Sequence, residues 1–127
     1  MHLHKSIQKC PVEFAIDMMK GKWKILIIWY LQKNQRRRYN EMLRLMPGVS
    51  KKVMTQQLQE MELDGIIVRK VYDENPPHVE YYLAPLGEKF IPILEQLYEW
   101  GKLVQAHSLQ QIPHLPIASQ GNEITSR

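Results

Sequence analysis

The sequence predicts a mainly α-helical protein that carries one small β-hairpin and ends in a long amphipathic helix. Three observations predict this fold class. Residues 50–65 hold apolar side chains at helical spacing between a helix start signal and a helix stop signal. Residues 66–83 hold two short runs rich in β-branched and aromatic side chains, separated by the turn segment DENPPH. From residue 85 onward, apolar residues recur every three or four positions.

The first two helices are predicted near the N-terminus. Residues 1–9 are interpreted as a flexible basic arm. Pro11 suits the first position of a helix, because its missing N–H costs no hydrogen bond there, and the short apolar stripe of this helix ends at Gly21. Residues 23 to about 32 are apolar almost all round, which is typical of a central core helix.

The next two helices predict a helix-turn-helix. Residues 41–46 indicate a short third helix that stops at the turn Pro47-Gly48. Ser50 is a good N-cap for the fourth helix, because its hydroxyl can accept a hydrogen bond from an amide of the first turn. The face that this helix turns to the core consists of Met54, Leu58 and Met61. The fourth helix ends at Gly65, where glycine tolerates the left-handed conformation.

Residues 66–72 and 79–83 predict the two strands of the hairpin. A long amphipathic helix is expected to begin at Pro85, with a kink at Pro92. The resulting order of elements is that of a winged helix-turn-helix.

We assign the winged helix-turn-helix to residues 10–110, which follow the arm of residues 1–9. Residues 111–127 are a polar tail with few side chains to pack, so we expect no fixed structure in it. A chain of 127 residues is long enough for one domain with a real core but not for two.

Composition excludes several classes of protein. The longest apolar run, residues 25–31, is far shorter than the roughly 20 residues that cross a bilayer. No secretory leader is recognised, so a cytoplasmic protein without a membrane partner is expected. The single cysteine excludes an internal disulfide framework and a multi-thiolate zinc site. No cofactor, metal site or catalytic signature is predicted.

The charge distribution points to an anionic partner. Residues 20–52 contain ten lysines and arginines and one acid, Glu41, whereas residues 53–127 contain ten acids and five lysines and arginines. A basic segment in a chain whose net charge is only +4 indicates a localised polyanion such as DNA.

The outward face of the fourth helix is the candidate base-reading surface, because a recognition helix enters the major groove with its N-terminal end foremost. Amide, hydroxyl and ammonium groups of this kind pair with base edges, and a carboxylate here would be repelled by phosphates. An ordinary solvated helix face is the alternative. The candidate residues are Ser50, Lys51, Lys52, Thr55, Gln56 and Gln59.

Other candidates position the protein without choosing a sequence. Phosphate contacts are expected from Arg36, Arg37, Arg38 and Arg44, together with lysines of the second helix. Asn75 and His78 at the hairpin tip are candidates for the minor groove or the backbone. For the arginines the alternative is solvated surface, and for His78 it is a plain hairpin turn.

Three segments of the sequence resemble the HxlR-type bacterial transcriptional regulators: CPVEFAIDMMKGKWK (residues 10–24), RRYNEMLRLMPGVSKKVMTQQLQEMELDGII (37–67), and VYDENPPHVEYYLAPLGEKF with LYEWG (within 71–101). The resemblance implies a homodimer that binds a double-stranded DNA operator, with the first and last helices forming much of the dimer contact. Two departures stand out. Ala84 replaces the threonine or serine that often precedes the last helix, and the second, more C-terminal cysteine of oxidant-sensing members is absent.

Cys10 is a candidate sensing residue. It lies at or near the N-cap of the first helix beside Lys9, and both surroundings favour the thiolate form. The resemblance implies that this position can sense a small electrophile or a quinone-like effector. A small residue packed at the dimer interface is the alternative reading.

Three functions compete. A sequence-specific DNA-binding regulator, most often a repressor in this architecture, is favoured. A winged-helix protein-interaction module without DNA binding predicts an acidic or neutral recognition face, which this sequence lacks. A small thiol-dependent enzyme needs a base partner for Cys10, and the sequence offers no signature of one.

Overall fold

The computed structural model describes residues 10–110, so the predicted N-terminal arm (residues 1–9) and polar tail (residues 111–127) lie outside the described residues. The described chain separates after Ile91 into two compact units. Its elements are, in order, α1 (Pro11–Met18), α2 (Trp23–Tyr30), α3 (Tyr39–Leu45), α4 (Lys51–Leu63), β1 (Ile67–Tyr72), β2 (His78–Leu83), α5 (Pro85–Glu88) and α6 (Ile91–Gln110). The predicted fold class, a winged helix-turn-helix that ends in a long helix, is confirmed.

Helix α4 forms where the cap, stop and apolar-spacing signals of its sequence predict it. The Ser50 hydroxyl accepts a hydrogen bond from the Val53 N–H at 3.1 Å, which satisfies one orphan amide of the first turn. After α4, Gly65 adopts a positive φ of 79°, the conformation in which glycine ends helices without a steric cost. The predicted inward face, Met54, Leu58 and Met61, is buried.

The core of the first unit is built on α2. Helix α2 packs against α3 and α4, and α4 also packs on β1. Apolar side chains at less than 2% exposure fill the space between these elements, as expected for a close-packed interior. They are Ile27, Ile28, Leu31, Met42, Met54, Leu58 and Met61.

One residue outside the hairpin, Arg37, pairs with it like a third strand, and no pattern in the sequence predicts this pairing. Strands β1 and β2 pair antiparallel, with Ile67 opposite Leu83 and Tyr72 opposite His78. The Arg37 N–H donates to the Tyr81 carbonyl at 3.0 Å, and the Tyr81 N–H donates to the Arg37 carbonyl at 2.8 Å. The backbone before α3 is therefore tied to the outer edge of β2.

The single kinked helix predicted from Pro85 is wrong, because the structure has two helices there. Pro92 has no N–H to donate to the carbonyl of residue 88, and its ring would clash with that carbonyl in a continuous helix. The chain instead closes α5 with a bond from the Phe90 N–H to the Gly87 carbonyl and restarts as α6 at Ile91. In α6, Pro92 occupies the first turn, where proline is tolerated.

Within residues 10–110, none of the helices combines the length and the apolar character that crossing a bilayer requires.

Candidate nucleic-acid interface

The structure brings the six predicted base-reading residues together on the exposed side of α4 and its cap. Each of them is exposed to solvent, and the first two turns of the helix carry no carboxylate. They are Ser50, Lys51, Lys52, Thr55, Gln56 and Gln59. Their roles toward a nucleic acid stay a prediction.

Tyr39, which the sequence analysis missed, fixes the N-terminal half of α4. Its hydroxyl donates to the Lys51 carbonyl at 3.0 Å and lies 3.1 Å from the Thr55 hydroxyl. Three of the six candidate side chains therefore already have a hydrogen-bond partner within the protein: Ser50 caps the helix, Thr55 contacts Tyr39, and Gln56 contacts Glu60. Tyr39 is 12 and 16 residues from its partners, so no local sequence pattern could reveal these contacts.

The prediction that lysines of the second helix contact phosphates is wrong for Lys24. Only 4% of this residue is exposed, and its Nζ lies 2.6 Å from Glu60 Oε1. The other oxygen, Glu60 Oε2, accepts from Gln56 Nε2 at 3.4 Å. The first carboxylate of α4 therefore has a buried cation beside it.

The four arginines separate into two groups. Arg36 and Arg37 are tied to neighbouring elements: Arg36 Nη1 donates to the Tyr72 hydroxyl at 3.0 Å, and Arg37 Nε donates to the Tyr30 carbonyl at 2.6 Å. The Arg36 guanidinium also lies 3.9 Å from the centre of the Tyr82 ring. Arg38 and Arg44 are exposed at the two ends of α3.

Arg38 is the N-cap residue of α3. Its backbone N–H donates to Glu41 Oε1 at 2.8 Å, which is one half of a capping box. A guanidinium group has no acceptor, so the other half cannot form. The Arg38 side chain is thereby left to the exposed surface.

The hairpin tip places Asn75 in solvent but engages His78. The His78 Nε2 lies 3.2 Å from Glu80 Oε2, and its Nδ1 lies 3.7 Å from Glu74 Oε1. Its ring stacks on Tyr72 with 4.6 Å between ring centres. Two carboxylates beside the imidazole disfavour the approach of a phosphate, so the geometry favours the structural reading of His78 over a DNA contact.

A groove of about 320 Å³ lies between α3, α4 and the hairpin. Its lining adds Arg69 of β1, which the sequence analysis did not single out. Arg69 is exposed and pairs with Tyr81 in the hairpin register. The alternation of side chains along β1 does not by itself place Arg69 beside the C-terminal half of α4, because that placement depends on the register of the hairpin. The groove is lined by Tyr39, Thr55, Leu58, Gln59, Glu62, Arg69 and Tyr81.

Cys10 is an exposed free thiol at the N-cap of α1. Hydrogen bonding to the backbone amides of Glu13 and Val12 lowers the pKa of the Cys10 thiol below the ordinary value of a cysteine. Lys9 lies outside the described residues, so the lowering of the Cys10 pKa described here rests on the backbone amides. Among residues 10–110, no three His, Cys, Asp or Glu side chains converge in a way that could hold a metal ion.

Replacing Tyr39 with phenylalanine should lower the free energy of unfolding by about 1 kcal/mol, because two hydrogen bonds of one hydroxyl are lost. Denaturant unfolding measures this change. A double-mutant cycle with Thr55→Val serves as the control, since the two effects should not add when the two hydroxyls share a hydrogen bond. Full additivity would contradict the contact.

Comparison with known proteins gives the same assignment across most of the chain. The family model described as HxlR-like helix-turn-helix matches residues 18–109. The HTH-type transcriptional regulator YybR of Bacillus subtilis strain 168 is 41% identical over 101 residues, which cover 80% of this chain and 80% of that protein. An HTH-type transcriptional regulator of Methanothermobacter thermautotrophicus is 43% identical over 98 residues, which cover 77% of this chain and 74% of that protein.

Solved structures agree with these relatives. The redox regulator HypR in its reduced form is 40% identical and has a TM-score of 0.71, covering 76% of this chain and 94% of that chain. A MarR-family protein from Porphyromonas gingivalis W83 is 39% identical with a TM-score of 0.71, covering 75% of this chain and 92% of that chain. The chain belongs to the HxlR-like helix-turn-helix family of transcriptional regulators.

Proposed function

We propose that residues 10–110 act as a sequence-specific DNA-binding unit of a transcriptional repressor, and that the protein binds its operator as a homodimer. The observation that carries this proposal is the exposed face of α4. Its first two turns present amide, hydroxyl and ammonium groups without a carboxylate. Such a surface suits the negative potential and the donor and acceptor pattern of the major groove.

The roles of individual residues follow from their chemistry. Gln56 and Gln59 can form hydrogen bonds to base edges, and Lys52 can pair with guanine or a phosphate. Arg38 and Arg44 neutralise phosphates beside the groove, which fixes the register of the protein without reading sequence. Asn75 reaches the backbone or the minor groove from the hairpin tip, where it is exposed.

A second copy of the chain is the proposed partner of α1 and α6. Helix α1 exposes Val12 and Ile16, although both are apolar. Helix α6 exposes a longer apolar series, and exposed apolar patches of this kind mark interaction surfaces. This series consists of Ile93, Leu97, Trp100, Leu103 and Val104. A homodimer with two copies of α4 would read half-sites about one helical turn apart.

A footprint on the DNA that flanks the protein's own gene tests the function. The protected region should contain a sequence with two-fold symmetry, and sedimentation should give twice the mass of the 15.1 kDa chain. Arg44→Ala should weaken all duplexes alike, whereas Gln56→Ala should weaken the operator selectively. A protein that prefers no sequence would instead support the interaction-module function.

Cys10 is the proposed sensor. Its thiolate can add to a quinone ring carbon, where a C–S bond forms and the ring takes up a proton from water. It can also attack a disulfide, where an S–S bond forms and a thiolate leaves. The structurally similar HypR is a redox regulator that has been solved in oxidized and reduced forms. A Cys10→Ser variant whose operator binding still falls after treatment with diamide or a quinone would contradict the proposal.

The pH dependence of alkylation tests the state of the thiol. Because the pKa of Cys10 is lowered, more thiolate is present at neutral pH than in an unperturbed cysteine. The rate of reaction with iodoacetamide should therefore reach half its maximum at a lower pH in the folded protein than in the unfolded protein. Cys10 is the only cysteine in the chain, so unfolded protein gives the matched control. The same midpoint in both states would contradict the effect of the helix terminus.

A further inference from the structure

Three side chains form a continuous polar chain from the core to the outward face of α4. Lys24 of α2 is buried, and its Nζ lies 2.6 Å from Glu60 Oε1 and 3.5 Å from the Met18 carbonyl. Glu60 Oε2 in turn accepts from Gln56 Nε2 at 3.4 Å. Gln56 is one of the exposed candidates for reading a base. The Glu60 carboxylate therefore links the buried Lys24 to Gln56, a candidate base-reading residue.

The Lys24 ammonium fixes the position of that carboxylate. Lys24 cannot move into solvent without leaving the packed interior, so Glu60 has a rigid partner on one of its oxygens. The second oxygen is then directed to the residue one turn earlier on the helix, which is Gln56. A surface glutamate without a buried partner would instead sample several rotamers and lose this direction.

The Glu60 carboxylate determines the orientation of the Gln56 amide group. An ionised carboxylate only accepts hydrogen bonds, so the amide nitrogen faces it and the amide oxygen is turned away. One N–H and the oxygen of Gln56 then remain available in a fixed order along the helix. Adenine offers an N7 acceptor and an N6 donor in the major groove, which match that pair of groups.

We infer that Glu60, anchored by Lys24, is a positioning residue that sets the base preference of Gln56 in favour of adenine. Glu60 touches no base in this arrangement. It acts by excluding the flipped amide, which would present its two groups in the reverse order. The inference rests on the proposed function, because it requires α4 to lie in the major groove.

The experiment is a selection of binding sites from randomised duplex DNA with the full-length protein. The base pair read by Gln56 is identified first, as the position whose preference disappears in Gln56→Ala. Glu60→Gln keeps the shape of the side chain but can donate as well as accept. Glu60→Asp keeps the charge and shortens the reach by one methylene, which provides a second variant if the first unfolds. Glu88→Gln, an exposed glutamate of α5 outside the candidate interface, is the matched control.

The expected result is a loss of about fivefold in the preference for adenine at that one position in both Glu60 variants, with the other positions unchanged. Glu88→Gln should leave the preference intact. In the Gln56→Ala background, the Glu60 substitutions should have no further effect on base preference. Thermal melting verifies that each variant is folded.

Two outcomes overturn the inference while the proposed function stands. In the first, the Glu60 variants weaken all sequences equally, which assigns Glu60 a structural role only. In the second, the wild-type protein prefers a base other than adenine at the position read by Gln56. A wild-type protein that selects no motif overturns the proposed function itself, so the two failures are distinguishable.

Discussion

Replacing Gly87 with alanine is expected to lower the free energy of unfolding by about 3 kcal/mol, at the upper end of what overpacking costs. A Cβ at this position would overlap the Ile66 carbonyl oxygen and would lie 3.2 Å from Leu83 Cδ2. The carbonyl cannot turn away, because it already accepts a hydrogen bond from the Ala84 N–H at 2.9 Å. The added methyl group therefore has to push α5 away from the start of β1.

Thermal unfolding measures this effect, and a decrease in the melting temperature on the order of 10 °C is expected. Glu88→Ala is the matched control, since Glu88 is the next residue of α5 and its side chain is exposed. The control should change the free energy of unfolding by less than about 0.5 kcal/mol. Equal stability of Gly87→Ala and Glu88→Ala would show that α5 is not held as closely to Ile66 as the geometry indicates.

Local signals predicted the elements that carry the proposed interface. The cap at Ser50, the apolar spacing of α4 and the glycine at residue 65 all act within a few residues, and the structure has each of them. Turn chemistry likewise identified the hairpin. Each of these features depends on neighbours in the sequence, which is why one chain was enough to predict them.

Contacts between distant residues could not be predicted in the same way. The structure brings three such pairs into contact through tertiary packing: Tyr39 with Thr55, Arg37 with Tyr81, and Lys24 with Glu60. Charge alone suggested that Lys24 faces a phosphate, but packing buries it, and the Glu60 carboxylate beside it offsets part of the cost of removing the ammonium group from water. A side chain's type therefore indicated what it can bind, while packing decided whether it reaches solvent.

Replacing Lys52 with glutamate is expected to weaken binding of the operator about 30-fold, the largest effect on DNA binding among the single substitutions. Lys52 is exposed in the first turn of α4, the end that would enter the major groove. The variant exchanges an attraction to phosphates for a repulsion. The slope of log affinity against log salt should also fall by about 1, because one counterion-releasing contact is lost.

Lys89→Glu is the matched control, since it changes the net charge by the same two units on an exposed residue outside α4. A similar loss of affinity in both variants would mean that total charge, and not the α4 surface, determines binding. A stability measurement excludes a third explanation, namely that the variant binds weakly because it is partly unfolded. A carboxylate in the first turn interacts favourably with the helix dipole, so Lys52→Glu should raise the free energy of unfolding by about 0.5 kcal/mol. Weaker DNA binding by a more stable protein cannot be attributed to unfolding, and it would assign the lost affinity to the surface of α4.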